Sequence, residues 1–290
     1  MFYSIKELVE QADLDFNGNV AELMIATEYE LTGRERDEVL RLMSRNLEVM
    51  KASVLLGLDE SKSRSGLTGG DAAKLHHYIQ SGNALSDYTV LTAAKNAIAV
   101  NEHNAKMGLV CATPTAGSAG CLPAVLTSAI EKLDLTEEQQ LEFLLAAGAF
   151  GLVIANNASI SGAEGGCQAE VGSASAMSAA ALVLAAGGSA FQASQAICFV
   201  IKNMLGLICD PVAGLVEVPC VKRNAMGASY AFIAADMALA GIESKIPVDE
   251  VIDAMYQVGS SLPTAFRETA EGGLATTPTG RRLSKEIFGE

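Results

Sequence analysis

The chain has 290 residues, half of them apolar and 19% charged, with no tryptophan. That is enough apolar matter for the core of one large domain or two small ones, which excludes intrinsic disorder. Lys and Arg number 20 against 34 Asp and Glu, a net charge of −14, so nucleic acid and membrane surfaces are excluded as partners. A small anionic substrate is not, because it answers to local charge.

The opening residues, Met1-Phe2-Tyr3-Ser4-Ile5-Lys6-Glu7-Leu8, lack a basic stretch followed by an apolar one. No export signal is read, so a cytoplasmic location with reduced cysteines is expected. Residues 3–58 read as acidic amphipathic helices, in which Leu40, Met43, Leu47, Met50, Val54 and Leu58 recur at three- and four-residue steps. Within them Asp13, Asp15, Asn17 and Gly18 imitate the start of a calcium loop. The closing position is Met24 where a bidentate Glu is needed, so the stretch reads as a helix–helix turn.

A polar loop follows at 60–70, containing Lys62 and Arg64 among Ser and Gly, and it divides an N-terminal helical region (1–58) from a larger domain (59–290). Asp71 is the expected cap of a helix beginning at Ala72. His76 and His77 are adjacent, so on a helix they diverge and cannot chelate one ion. A further helix is expected from Asp87 to Lys106. Beyond Pro123 the pattern predicts helices over 123–133, 137–155, 169–186, 190–205, 223–241, 248–260 and 281–288. The uncharged stretch 171–201 is long enough to span a bilayer, but Gly187-Gly188 divides it and Ser and Gln recur through it. Strand-like alternation is nearly absent. The expected fold is all-α, a compact multi-helix domain with its site in loops at helix ends.

Two features carry chemistry. The first is the cysteines. Cys198 sits in an apolar helix and reads as a buried hydrophobe, while Cys111 and Cys121 flank a turn and also read as packing residues. Cys167, Cys209 and Cys220 instead lie in stretches rich in Gly and Pro, where loop thiols can converge. Three thiolates suit a cubane iron–sulfur cluster with one iron left open as a Lewis acid; three structural cysteines are the alternative. A closed zinc site would want a fourth ligand and short paired spacings. The second feature is the turn Pro114-Thr115-Ala116-Gly117-Ser118-Ala119-Gly120. It runs into a helix with Pro123 near its start, so its free N–H groups offer an anion site or simply a tight turn. The loop at 61–66 loosely resembles the Lys-bearing stretch of pyridoxal-phosphate dehydratases. The parallel sheet and phosphate cup those enzymes need are not visible, and an anion-contacting loop is the better reading.

The stretches Ser159-Ile160-Ser161-Gly162-Ala163-Glu164-Gly165-Gly166-Cys167-Gln168, Cys209-Asp210-Pro211-Val212-Ala213-Gly214 and Val218-Pro219-Cys220 resemble the iron–sulfur-dependent bacterial L-serine dehydratases. So do Asn101-Glu102-His103-Asn104-Ala105, Pro114-Thr115-Ala116-Gly117 and Arg267-Glu268-Thr269-Ala270-Glu271-Gly272-Gly273-Leu274-Ala275. The resemblance covers roughly residues 60–276 and points to the α subunit of the two-chain form. It implies a 4Fe–4S cluster on Cys167, Cys209 and Cys220, a separate β chain as partner, and L-serine as substrate of a lyase yielding pyruvate and ammonia. A monovalent cation such as potassium is a further cofactor candidate. The chain departs from single-chain relatives in having no cysteine after Cys220, which leaves the fourth iron to water or an anion. It also lacks the Ser/His motif of the β portion. Candidate catalytic residues are Lys62, His103 and Glu164. Candidate substrate contacts are Ser63, Thr115, Gly117, Ser118, Asn157, Ser159 and Ser161. A cysteine desulfidase with similar cluster chemistry and a noncatalytic helical subunit remain alternatives.

Overall fold

The computed structural model describes residues 1–289. Among them are twelve α-helices and no strand, only an isolated bridge between Cys209 and Arg267. The acidic N-terminal segment forms α1 (Ile5–Asp15), α2 (Val20–Thr32) and α3 (Arg36–Leu56). Leu47, Met50 and Val54 are buried on α3 as their spacing predicts. The calcium-loop mimic is the turn between α1 and α2, where Asn19 caps α2 through the Glu22 amide.

Next come α4 (Asp71–Gln80), α5 (Tyr88–Ala105), α6 (Cys121–Leu133), α7 (Glu137–Asn157) and α8 (Gly162–Ala185). The series closes with α9 (Ala190–Met204), α10 (Cys220–Leu239), α11 (Val248–Ser261) and α12 (Pro278–Phe288). Every predicted helix is present, with differences at its ends. Asp71 is not the cap of α4 but its first helical residue. The buried carboxylate of Glu102 takes that role, accepting from the amides of Gly69, Asp71 and Ala72. Asp71 is thereby freed to pair with Lys74 and Lys222, which overcome the effect of burial and hold its carboxyl at about 2. Likewise α6 begins at Cys121, which puts Pro123 in the third position rather than the first.

The uncharged stretch from Val171 is the centre of the molecule. Helix α8 is buried almost all round, between α7, α9, α10, α6 and α11. A helix apolar on every face must be covered on every face, and its Ala, Ser and Gly let neighbours approach closely. Ser175 donates to the carbonyl of Gly227 at 2.6 Å, and a Cβ on Gly227 would sit 2.9 Å from Val171. Helix α7 passes a length-and-composition test for crossing a membrane, yet most of that stretch is buried here. One cluster of buried side chains draws on Phe2, Ile5, Leu8 and Met50 as well as on Ala72 through Met255. Side chains from before and after the 60–70 loop therefore share one core.

Candidate metal centre

Gly166 breaks α8 near its start, at φ 74° and ψ 180°. This left-handed position admits glycine readily, and a Cβ would lie 2.8 Å from both the Leu207 carbonyl and Leu262. The break explains why the pattern predicted a helix only from 169: its regular part starts at Cys167. Gln168, wholly buried, then fastens two segments, the 206–207 turn and α11, to that corner. Its amide donates to Leu207 (3.0 Å), its Oε1 accepts from Gly206 (2.9 Å) and its Nε2 donates to Met255 (2.8 Å).

Cys209 is held from the other side. Its N–H donates to Phe266 and its carbonyl accepts from Glu268, both at 2.9 Å, forming the bridge with Arg267. Cys220 is the first residue of α10. The three thiols are 1%, 2% and 6% exposed. The Sγ atoms of Cys167 and Cys209 and a carboxylate oxygen of Glu170 lie within 4.8 Å of one another. Cys220 is close enough for its charge to act on Cys209 and for that of Cys167 to act on Cys220.

The thiols are not alike electrically. The Cys209 thiol donates to Cys167 and the Arg223 guanidinium stands beside it, so the Cys167 pKa is lowered despite burial. That hydrogen bond, followed by burial, pushes Cys209 up; burial and then the charge of Cys167 push Cys220 up. Burial also pushes Glu170 up, with Glu268 adding to the rise and the Thr115 hydroxyl opposing it. Three buried thiols and two carboxylates thus lie within reach of one another's charge, and the Arg223 guanidinium reaches a sulfur, at 3.4 Å from Cys167. Arg223 is itself paired with buried Asp210 at 2.9 Å. Such a donor set holds its thiolate form only when a cationic metal centre compensates it. Thiolates select iron–sulfur, zinc or copper(I), and the residues therefore fit an iron–sulfur cluster. Gly162 brings the backbone close to these donors: a Cβ there would lie 3.0 Å from Cys209 Sγ, 3.1 Å from Glu170 Oε2 and 3.2 Å from Glu268 Oε2.

The Pro114–Gly120 turn closes one wall. Thr115 donates to Glu170 Oε1, and Gly117 packs so closely on that carboxylate that a side chain is excluded. Asn224 donates to the Gly117 carbonyl at 2.8 Å and accepts from the Gly120 amide at 3.2 Å. The Ser118 amide goes to Thr115 Oγ1, and the Ser118 hydroxyl faces the Thr113 and Thr115 carbonyls. Not all the N–H groups of the turn are free, as had been expected. Among the described residues, those of Ala116 and Gly117 are without a partner.

Thr115, Gly117 and Ser118 thus come together around Glu170 with Cys167 and Cys209, Cys220 lying near enough for a charge effect, while the other candidates have distinct surroundings. Ser63 and Ser65 donate to the two oxygens of Glu217, at 2.6 and 2.7 Å. The loop does grip a carboxylate, but through hydroxyls rather than through Lys62 or Arg64. Lys62 donates to the Gly69 carbonyl at 2.7 Å. The His103 ring packs against Gly108, and burial, reinforced by Lys106, lowers its pKa. Asn157 donates to Tyr3 and Val153, and Ser161 caps α8. Ser159 donates to Glu164 at 2.7 Å; both border a cavity of about 310 Å³ that Arg267 and Tyr256 also line. Cys121 and Cys198 are buried packing residues whose thiols are pushed up by burial.

Sequence reasoning missed Glu170, Glu268, Arg223 and Glu217. Glu170 left a signal as the one charge in the segment from Cys167 to Leu184, and Glu268 lay in one of the stretches that carry the resemblance.

The serine dehydratase alpha chain family profile matches residues 15–275. A probable L-serine dehydratase alpha chain from Bacillus subtilis is 60% identical over the whole of this chain and 96% of its own length. The L-serine dehydratase alpha chain of Peptoniphilus asaccharolyticus is 42% identical over 93% of each chain. The longer L-serine dehydratase TdcG of Escherichia coli is 36% identical, matching 94% of this chain and 61% of its own. With nine-tenths of its length inside the profile, and relatives 60% and 42% identical over nearly their whole lengths, the chain belongs to the serine dehydratase alpha chain family.

Proposed function

We propose that the chain is the α subunit of an L-serine dehydratase, a lyase that removes water from L-serine. The aminoacrylate so formed tautomerises and hydrolyses to pyruvate and ammonia. One observation carries the reading: in a chain of this family, the buried thiols of Cys167 and Cys209 meet the Glu170 carboxylate within 4.8 Å, with the buried Cys220 near enough to act on both electrically.

Cys167, Cys209 and Cys220 would hold a 4Fe–4S cluster, which supplies a Lewis acid for the departing hydroxyl. The protein's part is to aim the substrate. Two unpartnered amides, those of Ala116 and Gly117, are suited to a carboxylate. Asn224 and Asn101 fix the carbonyl of Gly117 and so the plane of its neighbouring peptides. Fixing a bound reactant in this way is worth several kcal/mol in a reaction that must take a proton from Cα and hydroxide from Cβ. Arg223 approaches Cys167 Sγ at 3.4 Å and so helps to orient that thiol. Burial of the pocket strengthens each of these interactions by lowering the local dielectric.

The enzyme would work in the cytoplasm with a separate β chain. Support lies in the alpha-chain names of the relatives of equal length, and in the greater length of the single-chain relative. The test is anaerobic co-purification with that partner, followed by iron analysis and assay on L-serine and L-cysteine. Iron near four atoms per α chain with pyruvate from L-serine is expected. A metal-free preparation with full activity, or sulfide release from L-cysteine without serine turnover, would overturn it.

A further inference from the structure

The pocket contains more negative charge than a cluster can offset. A cubane cluster carries less positive charge than three thiolates carry negative, so binding it leaves Glu170 and Glu268 uncompensated. Arg223, the cation that reaches the thiols, is already engaged with Cys167, the Ile208 carbonyl and Asp210. Glu170 is 8% exposed; Thr115 occupies its Oε1, and its Oε2 has no hydrogen-bond partner among the described residues. That oxygen faces the gap beyond Gly162, where Glu268 Oε2 and Cys209 Sγ also point.

Glu268 is exposed and stands on the solvent side of the same gap. Its backbone is left-handed, at φ 64°, an uncommon state for a residue with a side chain and one that accumulates at functional sites. The Cys209 carbonyl pins it there, accepting from its N–H at 2.9 Å. Backbone strain and a fixed bridge thus direct one carboxylate toward another that is buried, across a space bounded by a cluster ligand.

We propose that Glu170 and Glu268 form the seat of the substrate's α-ammonium group, and so decide that the enzyme takes an amino acid rather than a hydroxy acid. The proposal rests on the dehydratase reading and deepens it. The two carboxylates are matched to a cation carrying several N–H donors. Gly117 lies against Glu170, so that its unpartnered amide and that of the adjacent Ala116 can meet the carboxylate of the same amino acid. The amino acid's two charges then fix its orientation.

The test compares L-serine with 3-hydroxypropionate, which has the same carboxylate and hydroxyl but no ammonium. In the anaerobically prepared enzyme with its partner chain, Glu268→Gln is expected to raise KM for L-serine about ten- to hundredfold, the effect of losing one charge-assisted hydrogen bond. Calorimetric Kd for L-serine should rise in parallel. Affinity for 3-hydroxypropionate, iron content and cluster absorbance should stay as in the wild type. Glu170→Gln should show the same selectivity. An unchanged affinity for L-serine, or an equal loss for both compounds, would overturn the pair. Loss of iron from Glu170→Gln would make that residue a ligand and overturn its part. Wild-type enzyme that binds L-serine but forms no pyruvate would sink the dehydratase reading alone, since the calorimetric comparison still judges the ammonium seat.

Discussion

Replacing Arg223 with Met should weaken the fold and the metal centre together. The guanidinium donates to the Ile208 carbonyl at 2.8 Å, approaches Cys167 Sγ at 3.4 Å and pairs with Asp210 at 2.9 Å. It thereby joins the segments that carry all three cysteines. The Asp210 side chain is 3% exposed and that of Arg223 17%, so this is a buried pair. Met fills much of the same space but leaves the Asp210 charge with only the Leu274 amide, at 2.7 Å. Breaking a buried pair from one side costs about 3–5 kcal/mol, a large share of the 5–15 kcal/mol typical of a whole domain. Urea unfolding of the iron-free chain measures the loss, and iron content after anaerobic reconstitution measures the effect on the site. Arg223→Lys can reach only part of the three acceptors and should fall between. The double variant Arg223→Met/Asp210→Asn removes the stranded charge and should be more stable than Arg223→Met alone. A stability for Arg223→Met within about 0.5 kcal/mol of wild type, typical of a surface change, would refute the reasoning.

Cys209→Ser should abolish iron binding and turnover, whereas Cys198→Ala, at a thiol that only packs in α9, should keep both; iron analysis of the two proteins decides it. Gly162→Ala would bring a methyl to 3.0 Å from Cys209 Sγ and about as near to two carboxylate oxygens, so reconstituted iron should drop with little loss of helix signal in circular dichroism. Glu102→Gln exchanges a wholly buried acceptor for an amide whose NH₂ would confront N–H groups at the start of α4. A loss of about 1.5–3 kcal/mol in urea unfolding is expected, and a neutral effect would contradict the capping role. His103 has a lowered pKa in the fold, so below its ordinary 6.5 the unfolded chain takes up the proton more readily. The group therefore costs nothing well above pH 6.5 and destabilises increasingly as the pH falls. His103→Gln should gain stability relative to wild type between pH 7.5 and 5.5, and a constant difference would exclude this.

Much of the fold was legible because helix signals are short-range. The spacing of Leu47, Met50 and Val54, the turn at Asn17-Gly18 and the helix start at Asp87 each depend on neighbours within a turn or two. The cysteines could be sorted on the same ground, by whether the flanking residues continue a helix or interrupt one. Asp71 shows the limit. As a cap it was a sound local expectation, but Glu102, 31 residues away, satisfies the same amides.

The chain's own order of residues was thus sufficient for the all-α class and the packed central helix, and it singled out Cys167, Cys209 and Cys220 as candidate ligands. Tertiary packing alone decided what surrounds them. Glu170 meets Thr115 across 55 residues, Ser63 meets Glu217 across 154, and Arg223 reaches back 56 to Cys167. Periodicity reports which face of a helix avoids water. It carries no information on which distant charge arrives to satisfy a buried one, because that pairing is set only when the helices have closed on a common core.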